Sequence, residues 1–133
     1  QAKLAFEAAG EEKRRQVTYN IIRGLPGSMC EAMDSVERFQ AALDKYSGLA
    51  EEDVRRNLAD FLREVVPAAE EAGVYMGIHP DDPPIPLFGL PRVVSTAEHI
   101  RALLAAKPSA HNGLTLCVGS YASRADNHIP GIV

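Results

Sequence analysis

The sequence predicts an α/β fold that is one part of a larger parallel-sheet architecture. Three observations carry this expectation. Two short apolar segments, 74–78 and 114–118, have the composition of strands buried on both faces. A capped amphipathic helix lies between them, which makes the stretch a βαβ unit with a crossover helix. Two strands do not make a stable parallel sheet, which needs helices on its faces and neighbours at its edges.

The elements follow in order. Residues 11–23 read as a helix with Val17, Ile21 and Ile22 on one side, stopped by Gly24, Pro26 and Gly27. A second helix is expected over 31–46, where Met33, Val36, Phe39, Leu43 and Tyr46 recur at three- and four-residue steps before Gly48. The clearest helix spans 51–72. Val54, Leu58, Phe61, Leu62, Val65 and Ala69 form its apolar stripe, and Glu51, Glu52 and Asp53 suit the positive end of its dipole. Pro67 lies inside this pattern and is expected to bend the helix or loosen its last turns.

Gly73 ends that helix, and Val74-Tyr-Met-Gly-Ile78 follows as the first strand. Pro80, Pro83, Pro84, Pro86 and Pro91 make the next stretch a stiff loop. Ser95-Thr-Ala-Glu98 reads as a capping box opening a helix with Ala97, Ile100, Leu103 and Leu104 inward, which Lys107 and Pro108 stop. Leu114-Thr-Leu-Cys-Val118 is the second strand. The domain reading is one partial domain over 1–133: a helical region 1–73, a βαβ unit 74–118, and a loop with the start of another helix over 119–133.

Composition narrows the function classes. The chain has 133 residues, 46% hydrophobic and 24% charged, with a formal charge of -4 and a pI near 5.5. No broad basic surface exists to attract nucleic acid. No apolar run approaches the roughly 18–20 residues that span a membrane. Cys30 and Cys117 stand far apart, form no disulfide framework and fit a reducing cytoplasm. Gln1 leads directly into helix-like sequence, so the chain is read as starting partway through a gene product. HExxH, the P-loop, GxGxxG and GxSxG are all absent, which removes several common enzyme classes.

Two side chains occupy equivalent places. His79 follows one strand immediately, and Cys117 lies near the carboxyl end of the next. Functional groups of parallel barrels gather at those ends. Adjacent strands lie about 4.8 Å apart, and donor atoms on one metal about 3–3.5 Å apart, a gap that adjacent strand ends can close. The bland reading is an inert core cysteine and a turn histidine. Asp81 and Asp82 could orient the imidazole or reach a metal through water, or simply start turns before proline. Arg92 and Arg124 could each hold a carboxylate, or be surface and ion-pair arginines. His99 reads as solvated, His111 and His128 as loop residues without an evident partner, and Cys30 as a residue after a turn with no role.

A resemblance adds to this. The runs His79-Pro-Asp-Asp-Pro-Pro and Phe88-Gly-Leu-Pro-Arg92-Val-Val-Ser-Thr96 resemble the signature of the mannonate dehydratase family. So do Asn112-Gly-Leu-Thr-Leu-Cys117-Val-Gly-Ser-Tyr121 and Arg124-Ala-Asp-Asn127. Val65-Val-Pro-Ala-Ala-Glu-Glu-Ala-Gly73 and Asn20-Ile-Ile-Arg-Gly-Leu-Pro26 fit the same family, so the resemblance covers nearly the whole chain, read as a middle stretch. It implies a piece of a (β/α)8 TIM barrel of the xylose-isomerase-like type. The implied activity is conversion of D-mannonate to 2-keto-3-deoxy-D-gluconate and water in hexuronate (glucuronate) catabolism. The implied cofactor is a divalent metal, Mn2+ or Fe2+, held by two histidines, a cysteine and an aspartate. His79 and Cys117 match the first histidine and the cysteine. The other two ligands and the acid–base residues are expected beyond Val133. The partner is then a small sugar acid, with a homodimer allowed and no role for membrane or nucleic acid. Two other readings stand beside this one: a metal-dependent sugar isomerase of similar barrel type, and an inactive fragment or interaction module with open sheet edges.

Overall fold

The computed structural model describes residues 1–24 and 35–133. Pro26, Gly27, Cys30, Met33 and the expected first turn of the second helix lie outside the described residues. The chain forms two compact units, Gln1–Ser47 and Gly48–Val133.

The first unit is helical: α1 (Ala2–Glu7), α2 (Glu11–Gly24) and α3 (Val36–Asp44). Glu11 and Glu12 in the first turn of α2 and Arg23 in its last both oppose the helix dipole favourably. Ile22 is buried in this unit, where α2 meets α3, whereas Ile21 is about half exposed. Ser35 caps α3 by accepting from the Arg38 N–H at 3.2 Å, and the helix from Val36 holds Phe39 and Leu43. It stops before Tyr46.

The second unit contains α4 (Glu51–Ala72), β1 (Met76–Ile78), α5 (Ala97–Ala106), β2 (Asn112–Leu114), α6 (Val118–Ala122) and a closing 3-10 turn (Ile129–Gly131). At the start of α4 the Asp53 carboxylate accepts from the Ala50 N–H at 3.0 Å, occupying a donor that helix geometry leaves free. The helix runs unbroken through Pro67. It ends at Gly73, whose left-handed backbone (φ 65) lets the Val74 N–H turn back to the Ala69 carbonyl at 2.9 Å.

Leu62 and Val66 are fully buried and pack with Val93, Val94 and Leu103; Met76, Ile78 and Leu114 of the strands border this core. The buried line of α4 is thus Leu62, Val66 and Ala69. Phe61, expected in the stripe, sits one residue off that line and is 56% exposed. Val93 and Val94, in the loop before α5, supply core that the helix and strand patterns did not identify.

β1 and β2 are parallel, with Met76 opposite Asn112 and Ile78 opposite Leu114. Both strands are shorter than expected, and β2 lies earlier. Val74 and Tyr75 remain exposed ahead of β1, and the burial of β1 itself is only partial. The second expected strand, 114–118, turns away after Thr115 and becomes α6. The cap of α5 is Thr96, whose Oγ1 accepts from the His99 N–H at 3.2 Å, rather than the Ser95–Glu98 pair. Asn112 closes the other end of α5: its amide nitrogen donates to the carbonyls of Leu103 (3.3 Å) and Lys107 (3.0 Å).

This packing makes a contrast measurable. Leu62→Ala is expected to lower the unfolding free energy by about 2–5 kcal/mol, since it empties a closed site. Phe61→Ala, one residue away, is expected to cost no more than about 0.5 kcal/mol, as for other surface changes. Urea unfolding of the two variants checks this, and equal losses would misplace the core face of α4.

Candidate metal centre

The parallel register brings two chain ends to one side of the unit. The ladder runs from the Met76 N–H to the His111 carbonyl (3.0 Å) up to the Thr115 N–H on the Ile78 carbonyl (2.9 Å). His79 comes next after β1. On the other strand the Cys117 N–H turns back to the Thr115 carbonyl at 2.9 Å, and Cys117 becomes the residue that precedes α6.

The imidazole of His79 is held by its own loop. Nδ1 lies 2.8 Å from the Pro80 carbonyl oxygen. A carbonyl can only accept, so Nδ1 carries the proton and Nε2 of the neutral ring keeps its lone pair, the arrangement usual for a metal-binding histidine. This bond to Pro80 is the main cause that raises the His79 pKa above its ordinary value, with the Cys117 thiol and the Asp82 charge adding to it. Cys117 moves the opposite way. The Ser120 hydroxyl donates to Sγ at 3.2 Å and, with the Ser120 N–H, is the main cause that lowers the thiol pKa; His79 contributes further. The two side chains therefore act on one another's protonation, each shifting the other in its own direction. One nitrogen and one sulfur donor, the latter biased toward thiolate, form a set that fits a divalent transition metal. Among the described residues no group of three or more His, Cys, Asp or Glu side chains is placed to hold a metal ion, so the pair is a partial shell.

Asp81 and Asp82 play different parts. Asp81 Oδ2 accepts from the Val94 N–H (2.7 Å) and the Ser95 hydroxyl (2.9 Å), tying the loop after β1 to the entry of α5. The group that orients the imidazole is thus the Pro80 carbonyl. Asp82 is exposed and acts on His79 through its charge. Arg92 Nη1 lies 3.8 Å from Asp81 Oδ1, and its buried Nε has no hydrogen-bond partner. Arg124 grips a carboxylate in the two-pronged manner of a guanidinium, and the carboxylate is that of Asp126: Nε at 2.9 Å and Nη2 at 2.6 Å. Its Nη1 also donates to the Pro84 carbonyl at 2.9 Å.

Other histidines have partners the sequence did not show. His99 is largely buried: Nδ1 accepts from the Ser95 N–H at 3.2 Å, and Nε2 lies 3.5 Å from Glu51 Oε1. His111 stacks on Tyr75 with centroids 4.5 Å apart, and its Nδ1 donates to the Val74 carbonyl at 2.8 Å. Three polar residues near the pair, all within the quoted runs, were assigned no part in the site. Ser95 and Tyr121 are fully buried, and Asn127 links their backbones. The Tyr121 hydroxyl is buried without a partner; burial first, then the Asp81 and Cys117 charges, raises its pKa and keeps it protonated. A Ser, a Tyr and an Asn carry no periodic signal, so no pattern could have selected them.

Comparison with known proteins gives one consistent result. Residues 2–133 match the D-mannonate dehydratase (UxuA) family. The chain is 49% identical over 133 residues to a mannonate dehydratase of Marinomonas sp. (strain MWYL1), covering all of this chain and 34% of the relative. It is 50% identical over 131 residues to one from Saccharophagus degradans, covering 98% of this chain and 32% of the relative. A solved structure titled as mannonate dehydratase from Streptococcus suis serotype2 superposes with a TM-score of 0.69 at 45% identity, over 73% of this chain and 28% of that one. The chain thus spans about a third of the length of the curated relatives it matches. These matches establish the family and the share of its length, and they correct the expected middle position toward the amino-terminal part of the family. The solved relative supports an α/β fold for this stretch.

The Arg124–Asp126 pair gives a pH prediction. The hydrogen bonds from Arg124 hold the Asp126 carboxyl below its ordinary pKa. A depressed folded-state pKa means that the pair's contribution is present above the ordinary carboxylate value. It is lost as pH falls through the depressed one. An NMR titration of the Asp126 carboxyl should show the low midpoint, and Arg124→Gln should return it upward to the ordinary range.

Proposed function

Since the chain belongs to the D-mannonate dehydratase family, we propose that it is the portion of such an enzyme that supplies one nitrogen and one sulfur ligand to a catalytic divalent metal. The observation that carries this reading is the meeting of His79 and Cys117 beyond the ends of consecutive parallel strands. On this reading the fold is part of a (β/α)8 barrel, in which functional groups sit at the C-terminal ends of the strands. The substrate is D-mannonate and the product 2-keto-3-deoxy-D-gluconate, with loss of water across carbons 2 and 3. The metal is Mn2+ or Fe2+. A free thiol ligand suits a reducing cytoplasm, and no helix among the described residues is long and apolar enough to cross a membrane.

The chain's own residues account for binding and orientation. His79 offers Nε2 because Pro80 occupies Nδ1, and Cys117 is biased toward the thiolate because the Ser120 hydroxyl donates to its Sγ. When bound, the metal supplies Lewis-acid stabilisation of charge developing on substrate oxygens. Arg92 is the better placed arginine for the substrate carboxylate, because three donors of Arg124 are already taken. The general base for the carbon-2 proton, the general acid for the carbon-3 hydroxyl and the remaining ligands come from the two thirds of the family's length that this chain does not span.

Two measurements test this. A chain extended to the relatives' length should convert D-mannonate to the 2-keto-3-deoxy acid with Mn2+ or Fe2+, whereas the 133-residue chain should bind metal weakly and show no turnover. In the extended chain Cys117→Ala and His79→Ala should each abolish metal retention, read by elemental analysis after desalting. Full metal content and normal turnover in Cys117→Ala would refute the ligand assignment.

A further inference from the structure

We propose that Asn127 and Ser95 are positioning residues for the His79–Cys117 pair, forming a partly buried strap between the two loops that carry it; the proposal rests on the metal-ligand reading above. The need for a strap follows from where the sheet stops. The last ladder bond is the Thr115 N–H on the Ile78 carbonyl, one residue before His79 and two before Cys117. Past that point the strands no longer fix how far apart the two donor atoms lie. A metal site requires its distances to hold within about 0.2 Å.

The strap spans this region with side chains. The Asn127 amide nitrogen donates to the Tyr121 carbonyl (2.9 Å) on α6, which Cys117 opens, and to the Ser95 carbonyl (2.9 Å). Ser95 is fully buried and uses every polar group it has. Its carbonyl receives Asn127, its N–H donates to His99 Nδ1 at 3.2 Å, and its hydroxyl donates to Asp81 Oδ2 at 2.9 Å. Asp81 is two residues from His79, and Tyr121 four residues from Cys117. One continuous path of hydrogen bonds therefore joins the two ligand loops without passing through the sheet. Arg124, donating to the Pro84 carbonyl, adds a second and more exposed tie between the same segments.

The strap can be cut at two points with small changes. Asn127→Ala removes both donors from one amide, and Ser95→Ala removes a single hydroxyl while leaving its backbone bonds. Ser109→Ala is the control. It removes a hydroxyl that donates to Glu70 Oε1 at 2.5 Å and accepts from the His111 N–H, ahead of β2 and so at the opposite end of the strands. The readout is cobalt(II) titration of the 133-residue protein, followed by the sulfur-to-cobalt charge-transfer band, with thermal unfolding measured alongside. Asn127→Ala and Ser95→Ala should each weaken cobalt binding about 10-fold or more, the range usual for groups behind metal ligands. Ser109→Ala should leave affinity and band unchanged even where it lowers the melting temperature. Should Asn127→Ala fail to fold, Ser95→Ala carries the test. Unchanged affinity in the folded strap variants, or an equal loss in Ser109→Ala, overturns the proposal while leaving the ligand reading intact. Absence of the band in the unsubstituted protein overturns both.

Discussion

The rest of the second unit depends on the parallel register of β1 and β2. Only three residue pairs are involved, from Met76 opposite Asn112 to Ile78 opposite Leu114. Because the strands run the same way, everything that follows them leaves from one end. A shift of one residue would turn each strand's side chains to the other face. The apolar residues of both strands, Met76, Ile78 and Leu114, border the core formed by Leu62, Val66, Val93, Val94 and Leu103. Burial of that set opposes slippage, so the hydrophobic core fixes the register, and the register fixes where His79 and Cys117 emerge.

Register alone decides the end of the sheet, not the geometry beyond it. There the structure relies on hydrogen bonds between buried and partly buried polar groups. Asp81 closes on Val94 and Ser95, and Asn127 on Ser95 and Tyr121. Such contacts are strong where water is excluded and costly when half made. Polar loops joined this way are stiff for a reason distinct from their prolines. Prolines limit the backbone angles of the 80–91 loop, whereas Asp81 and Ser95 decide where that loop is attached.

The sequence showed some of these levels and not others. Helix α4 was legible to the residue at both ends, since acidic residues and Gly73 mark its termini and its apolar spacing is regular. The strap was not legible, because it links single residues 6 to 32 positions apart with no repeating pattern. Cap identity misled in one place: Ser95 has the right chemistry to cap α5, but Asp81 claims its hydroxyl and Thr96 caps instead. The second strand misled for a related reason. Leu114 through Val118 has strand composition, yet the Cys117 N–H turns back to Thr115 and the chain enters α6. Of the candidate site, His79 and Cys117 were identified from their places after strands. Ser120, which acts on the thiol most directly, lay within a recognised motif but carried no signal of its role.

Three ranges of interaction build the donor pair, and they differ in what they require of the chain. Orientation of each donor is local: Pro80 acts on the neighbouring His79 and Ser120 on Cys117 three residues away. The approach of the two donors is regional, set by strands 36 residues apart in register and by the polar contacts beyond them. Completion of a metal shell needs donors that the described residues do not gather. A chain that spans a third of its relatives can satisfy the first two ranges and not the third. The exposed side chains around the strands, Val74, Tyr75, Leu116 and Val118, tell the same story in apolar terms. Their composition suits burial on both sides, and a two-stranded sheet provides too few neighbours to bury them. The partial donor set and the uncovered strand flanks thus have one form: local and regional order are in place, and among the described residues neither further donors nor further apolar neighbours are gathered around them.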